Sequence, residues 1–168
     1  MRKSGYGKAN PGPAMNEDEK IAQAAEAHGV TPEEEKRARI IIEKGLEDGV
    51  ARFYEIVRED ALIGPIFTGA VHDFPAHMQT MVDFWSRVVL GTERYGGMPL
   101  PPHVKLDLTE EHFVRWLDIW KQAADATMPE PLAQLVTQKA ANMAQHWVNA
   151  LESVRAQQRD LAAKEDTP

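Results

Sequence analysis

The sequence predicts an all-α protein. Three observations carry that expectation. Apolar residues recur at intervals of three and four along several segments, helix-capping residues stand at the ends of those segments, and no strand-like alternation runs beyond a few residues. No internal repeat is present, so the helices must pack on one another rather than stack as copies of one unit.

Length and composition narrow the possibilities. With 168 residues, 43% hydrophobic and 27% charged, the chain can build one domain with a real core, whereas two halves would each be marginal. A net charge of -7 and a pI near 5.4 repel phosphate backbones and anionic lipid headgroups, so neither nucleic acid nor a membrane is an expected partner. The lack of cysteine removes disulfides and thiolate metal sites and is compatible with a reducing cytosol. Arg2, Lys3 and Lys8 lie in a stretch broken by Gly5, Gly7, Pro11, Gly12 and Pro13, so no apolar signal core forms there. No later run approaches the roughly eighteen apolar residues of a membrane span. A cytoplasmic protein is expected.

Residues 1–15, rich in Gly, Pro and Lys, read as a disordered tail. Asn16 and Glu19 form a capping-box pattern that opens a short helix, ended by His28-Gly29. Thr31, Pro32 and Glu34 open a second helix carrying Ile40, Ile41 and Ile42, which Gly45 is expected to stop or kink. Residues 16–45 are thus a helical N-terminal extension, and the main domain is expected over 46–165. From Leu46 to about Glu59 the residues Leu46, Val50, Phe53, Tyr54 and Val57 share one face, which puts Tyr54 on the buried side. Asp60 to Phe67 reads as a compact apolar turn in which Gly64-Pro65 prevents a long helix and Phe67 points inward.

Between Phe74 and Leu90, His77, Met81, Phe84 and Val88 follow at helical steps, so a histidine heads an otherwise apolar stripe. Gly91, Gly96, Gly97, Pro99, Pro101 and Pro102 predict a loop with at most one short turn, ending at His103. Thr109 is the expected N-cap of the next helix, with Glu110 and Glu111 in its first turn and Phe113, Trp116, Leu117 and Trp120 on its inner face. Pro129 and Pro131 close that helix. A last one is expected from about Pro131 to Ala162, with Leu135, Val136, Met143, Trp147 and Leu151 apolar.

Four side chains have the chemistry to make a site. Pro101 and Pro102 stiffen the backbone before His103, and a carbonyl of the preceding loop is the kind of acceptor that would orient its ring. A haem iron needs only one such protein ligand, because the porphyrin supplies four nitrogens. On the other side of an iron, dioxygen becomes a hydrogen-bond acceptor. The Tyr54 hydroxyl, the Trp116 indole N–H and a His77 ring nitrogen are candidate donors. At about 1.5–3 kcal/mol for a bond to a charged acceptor, each donor would slow ligand escape by about ten-fold or more. Taken singly, each also reads as an ordinary core aromatic or a satisfied histidine, and only the combination carries weight.

The other candidates carry less. His112, at a helix start, reads as a cap or a surface residue, and His28, His72 and His146 lack partner spacing. Two histidines and a carboxylate for non-haem iron can be drawn from His72, Asp73 and His77, or from His103, Asp107 and His112. Neither spacing puts three ligands on one face, and no H-E-x-x-H occurs. The absence of G-x-S-x-G and P-loop motifs argues against the commonest hydrolase and nucleotide chemistries.

Several strings taken together resemble a known family. They are Arg52-Phe53-Tyr54-Glu55-Ile56-Val57-Arg58-Glu59-Asp60, Leu62-Ile63-Gly64-Pro65-Ile66-Phe67, Asp83-Phe84-Trp85-Ser86, Leu90-Gly91-Thr92, Arg94-Tyr95 and His112-Phe113-Val114-Arg115-Trp116-Leu117. From about Leu46 to Leu151 the chain resembles the truncated haemoglobins, and within them the third group. The resemblance implies a truncated globin fold, a shortened helical sandwich around haem b (iron protoporphyrin IX). It implies His103 as the proximal ligand of a five-coordinate iron, Tyr54 and Trp116 as distal donors, and His77 as the distal histidine. Phe67 would pack on the haem face, with Met81, Phe84, Trp85, Arg94, Tyr95 and Leu100 also in the cofactor site. Dioxygen, nitric oxide and carbon monoxide are the implied ligands. Redox chemistry on the bound ligand, either nitric oxide dioxygenation or a peroxidase-like reaction, would require a reductase. An oxygen carrier, store or sensor is the alternative within the family, and a cofactor-free helical interaction protein the alternative outside it. The extension of about 45 residues and the Gly96-Gly97 pair depart from the group's pattern.

Overall fold

Helix ends in the computed structural model fall where capping residues stand. It describes residues 15–165, so the predicted tail, except for Met15, lies outside the described residues. Asn16 and Glu19 exchange side-chain bonds with each other's amides at 2.9 and 2.8 Å and open α1 (Glu17–His28), which ends at Gly29 with φ 68°. Thr31 and Glu34 make the same exchange before α2 (Pro32–Glu59). Next come α3 (Gly64–Ala70), α4 (Phe74–Leu90), α5 (Leu100–Val104), α6 (Glu110–Thr127) and α7 (Glu130–Glu165). The Asp73 carboxylate accepts the Ala76 amide at 3.0 Å to cap α4, and Gly91 ends that helix at φ 69°. His112 accepts the Thr109 amide through Nδ1 at 2.9 Å, so its ring caps α6. Among the described residues all regular structure is helical, as expected.

The structure corrects the reading of one glycine and refines that of another. Gly45 does not stop α2, which runs unbroken to Glu59. A Cβ at Gly45 would lie 3.1 Å from Leu132 Cδ2, and one at Gly49 only 2.4 Å from Met128 Cε. The two glycines admit those side chains against α2, and the packing outweighs about 1 kcal/mol of lost helix propensity at each. The stretch from Asp60 is a turn only as far as Ile63, and Gly64 then begins a helix of seven residues with Pro65 in its first turn, so no long helix forms there, as expected. A Cβ at Gly64 would meet the Val57 carbonyl oxygen at 2.7 Å, a backbone atom that cannot swing aside. Gly64→Ala is therefore expected to lower stability by about 1–3 kcal/mol. A lower urea midpoint at constant slope would show it, and an unchanged midpoint would mean that α3 shifts freely.

The described residues divide into two units at Ile40/Ile41. In the first, Ile21 and Ala25 are buried, and the buried Glu35 carboxylate bonds His28 Nδ1 and Arg39 Nε, each at 3.0 Å. In the second, Leu46, Val50 and Val57 of α2 join Val82 and Trp85 of α4, Ile119 and Trp120 of α6, and Val136 and Ala140 of α7 in one core. A smaller cluster gathers Leu108, Phe113, Ala144 and Leu151. Among the described residues no helix is long and apolar enough to cross a membrane.

Asp60 ties the α2–α3 corner to α6. Its carboxylate accepts the Ile63 and Leu62 amides at 2.9 and 3.0 Å and Arg115 Nε at 2.7 Å. Burial alone would raise its pKa; the Ile63 amide, Arg115 and the Leu62 amide outweigh burial and hold it below the usual 3.8. A carboxyl depressed by folding adds stability above its unfolded pKa and loses it as pH falls through the folded value. Asp60→Asn is expected to be destabilising by about 1–3 kcal/mol at pH 7, with the gap to wild type closing as pH drops below about 4. Urea titrations across pH would test this, and a pH-independent gap would rule out charge as the cause.

Candidate functional site

Side chains from α2, α4, α5, α6 and α7 line a cavity of about 870 Å³. It brings together Tyr54, His77, Met81, Phe84, Trp85, Tyr95, His103 and Trp116, which are far apart in the sequence.

His103 is held from two sides. It lies within α5 rather than at the end of a loop, and the first turn of that helix accepts Pro101 and Pro102 because no intrahelical N–H is needed there. Its Nδ1 lies 2.7 Å from the Pro99 carbonyl oxygen. A carbonyl only accepts, so Nδ1 carries the proton and Nε2 keeps its lone pair. The Trp147 ring packs at 4.5 Å between centroids. Burial lowers the His103 pKa below the usual 6.5 and favours the neutral ring, opposed in part by the Pro99 bond, which favours the protonated one. A neutral imidazole with Nδ1 held and Nε2 open is a metal ligand in waiting.

Tyr54 is 3% exposed. Its ring meets Phe53, Phe67, Phe74 and His77 edge-on at 5.1, 5.7, 6.0 and 5.6 Å. Burial pushes its hydroxyl far above the usual 10, so it remains a protonated donor. Trp116 stands against Phe53 at 6.5 Å, on a helix fixed by the adjacent Arg115–Asp60 pair. Among the described residues neither the Tyr54 hydroxyl nor Trp116 Nε1 has a hydrogen-bond partner. His77 is half-buried; burial first, and the like charge of His103 second, lower its pKa, so both histidines are held neutral.

The group III truncated haemoglobin from Campylobacter jejuni, known from a crystal structure, aligns with a TM-score of 0.61 and 29% identity over 65% of this chain and 90% of that one. The group 3 truncated haemoglobin ctb of Campylobacter jejuni subsp. jejuni is 32% identical over 104 residues, 59% of this chain and 82% of the relative. The chain belongs to the group 3 truncated haemoglobins. No protein-family model matches it. The truncated globin fold expected from the sequence is the fold of the aligned structure.

In this truncated haemoglobin three of the expected site residues stand off the wall of the large cavity. Phe67 packs edge-on against Phe53 and Tyr54 at 5.9 and 5.7 Å and lines a neighbouring space of about 70 Å³ that His103 and Trp116 also border. Leu100 is half-buried against the smaller core cluster. Arg94 bonds Glu43 at 2.6 Å and Asp83 at 3.2 Å. Around it the buried Ser86 hydroxyl donates to Glu43 at 2.6 Å and meets Thr92 at 2.9 Å, while Arg87 donates to the Tyr95 carbonyl at 2.7 Å. The Gly91–Tyr95 string thus pins the loop to α2 and α4 and delivers the chain to α5. Among the described residues no cluster of three His, Asp or Glu side chains is placed to hold a metal.

Other wall residues were not singled out from sequence as parts of a site. Trp120 stacks on Trp85 at 4.5 Å and 7°, and Trp147 covers His103. Both read as core because helical periodicity marks a buried face without saying what that face encloses. Lys105 gave a signal only in its place two residues after His103.

Proposed function

We propose that the chain binds haem b in the 870 Å³ cavity through His103 and takes up dioxygen there, with nitric oxide and carbon monoxide as further ligands. One observation carries this reading: an imidazole with Nδ1 bonded to Pro99 and Nε2 open shares a cavity with two N–H and O–H donors that have no partner among the described residues. The residues suit the group. The volume is in the upper range of small-molecule sites, the wall is mostly aromatic and aliphatic, and of its histidines His103 is the one whose Nδ1 is held by a backbone carbonyl. When bound, haem supplies an iron with a position open to a diatomic gas.

The chain's own residues do the rest. Pro99 and Trp147 hold the His103 ring, so Nε2 is directed without conformational search. Tyr54 and Trp116 supply hydrogen bonds where the gas gathers charge, and His77 can supply a third. Met81, Phe84 and Trp85 exclude water and strengthen those bonds. Donors that slow release suit redox chemistry better than delivery. We therefore favour nitric oxide dioxygenation, in which nitric oxide, dioxygen and one electron from a cytoplasmic reductase give nitrate, over peroxidase-like turnover.

An absorption spectrum of the haem-reconstituted chain tests the reading. A Soret band that shifts with carbon monoxide is expected, and its absence would leave a cofactor-free helical interaction protein. The ferrous, gas-free spectrum is expected to be five-coordinate and high-spin. A low-spin six-coordinate spectrum that is lost in His77→Leu would instead assign His77 to the iron.

A further inference from the structure

Among the described residues, Lys105 is the one permanent cation on the wall of the large cavity. It is exposed, in the turn that follows α5, so it stands at the cavity mouth two residues from His103. It has no ion pair or hydrogen bond among the described residues. The other nearby cations are matched: Arg94 by Glu43 and Asp83, Arg87 by the Tyr95 carbonyl, and Arg58 by the Phe74 ring face at 4.8 Å. Asp73, the acid on the same wall, is engaged as the cap of α4. His72 also borders the mouth and has no permanent charge.

An unmatched ammonium beside a mostly apolar cavity selects a particular ligand shape. The ligand must be apolar over most of its surface and anionic at one edge, because carboxylates buried in the apolar interior would lose hydration without compensation. We propose that Lys105 is the carboxylate subsite of this cavity and receives the propionate edge of the tetrapyrrole. This rests on the haem reading above and deepens it. A lysine suits the role, since its flexible stem lets a compact charge follow a mobile carboxylate at a wet rim. One short segment, from Pro99 to Lys105, would then supply the ring-orienting carbonyl, the imidazole and the counter-charge.

The test measures how fast the ligand is lost, not activity. Wild type, Lys105→Ala, Lys105→Arg and Lys105→Glu are loaded with protohaem or with its dimethyl ester, and transfer to an excess of a haem-scavenging apoglobin is followed at the Soret band. For protohaem, Lys105→Ala should release about two- to five-fold faster and Lys105→Glu faster still, with Lys105→Arg near wild type. The Lys105→Ala difference should shrink in high salt and vanish for the dimethyl ester. Equal protohaem release from wild type and Lys105→Ala would overturn the proposal, as would equal acceleration for both porphyrins. Failure of wild type to take up haem at all would overturn the haem reading itself, an outcome separate from these.

Discussion

His103→Ala is expected to lose iron ligation altogether, with haem affinity falling more than about 100-fold. Removing a group that merely orients a ligating histidine costs about 10–100-fold, so loss of the ligand itself must exceed that. The structure indicates how to separate loss of the ligand from damage to the pocket. His103 lies on α5, a five-residue helix whose first turn is set by prolines, and its backbone does not depend on the imidazole. His103→Gly should therefore keep the cavity, and imidazole added in solution should enter it and restore the Soret spectrum. Apolar contacts from Phe84, Trp85 and Trp147 can hold some porphyrin in the variant without ligating it, so the readout must be the coordination spectrum rather than haem content. A wild-type spectrum in His103→Ala would sink the assignment and turn attention to His77, the other histidine of the cavity described here whose ring is held neutral.

What the sequence made legible was whatever physics writes locally. The capping pairs Asn16/Glu19 and Thr31/Glu34, and Gly91 at positive φ, set helix ends within a few residues, and those were read correctly. The stripe from His77 to Val88 needed only helical periodicity. Gly45 misled because its reason is tertiary: propensity sees a weak helix residue, whereas the fold needs space for Leu132, nearly ninety positions later. Arg94 too has partners set by tertiary structure. Its contacts with Glu43 and Asp83 depend on how α2 and α4 meet, which no local pattern records. The carbonyl that orients His103 could be named only as a kind of group until the loop's path put the Pro99 oxygen 2.7 Å from Nδ1.

Tyr54→Phe is expected to speed dioxygen dissociation by about ten-fold or more, and Trp116→Phe by a similar factor. The estimate follows from about 1.5–3 kcal/mol for a hydrogen bond to a charged acceptor, with 1.4 kcal/mol equal to ten-fold. Burial fixes the state of the Tyr54 donor: its pKa is raised far above 10, so the hydroxyl stays protonated and the effect should be flat from pH 6 to 9. Carbon monoxide gathers less charge than dioxygen, so its release should change little, and the ratio of the two effects distinguishes hydrogen bonding from altered packing. Stability separates the same alternatives. A buried hydroxyl with no protein partner contributes nothing when the cavity is empty, so Tyr54→Phe should leave apoprotein stability unchanged or slightly higher. Because Tyr54 and Trp116 both stand against Phe53, the double variant need not be additive. A coupling between the two would mean that both donors serve one acceptor, whereas a rapid wild-type off-rate unchanged in Tyr54→Phe would remove the tenacious site, and with it the case for redox chemistry over delivery.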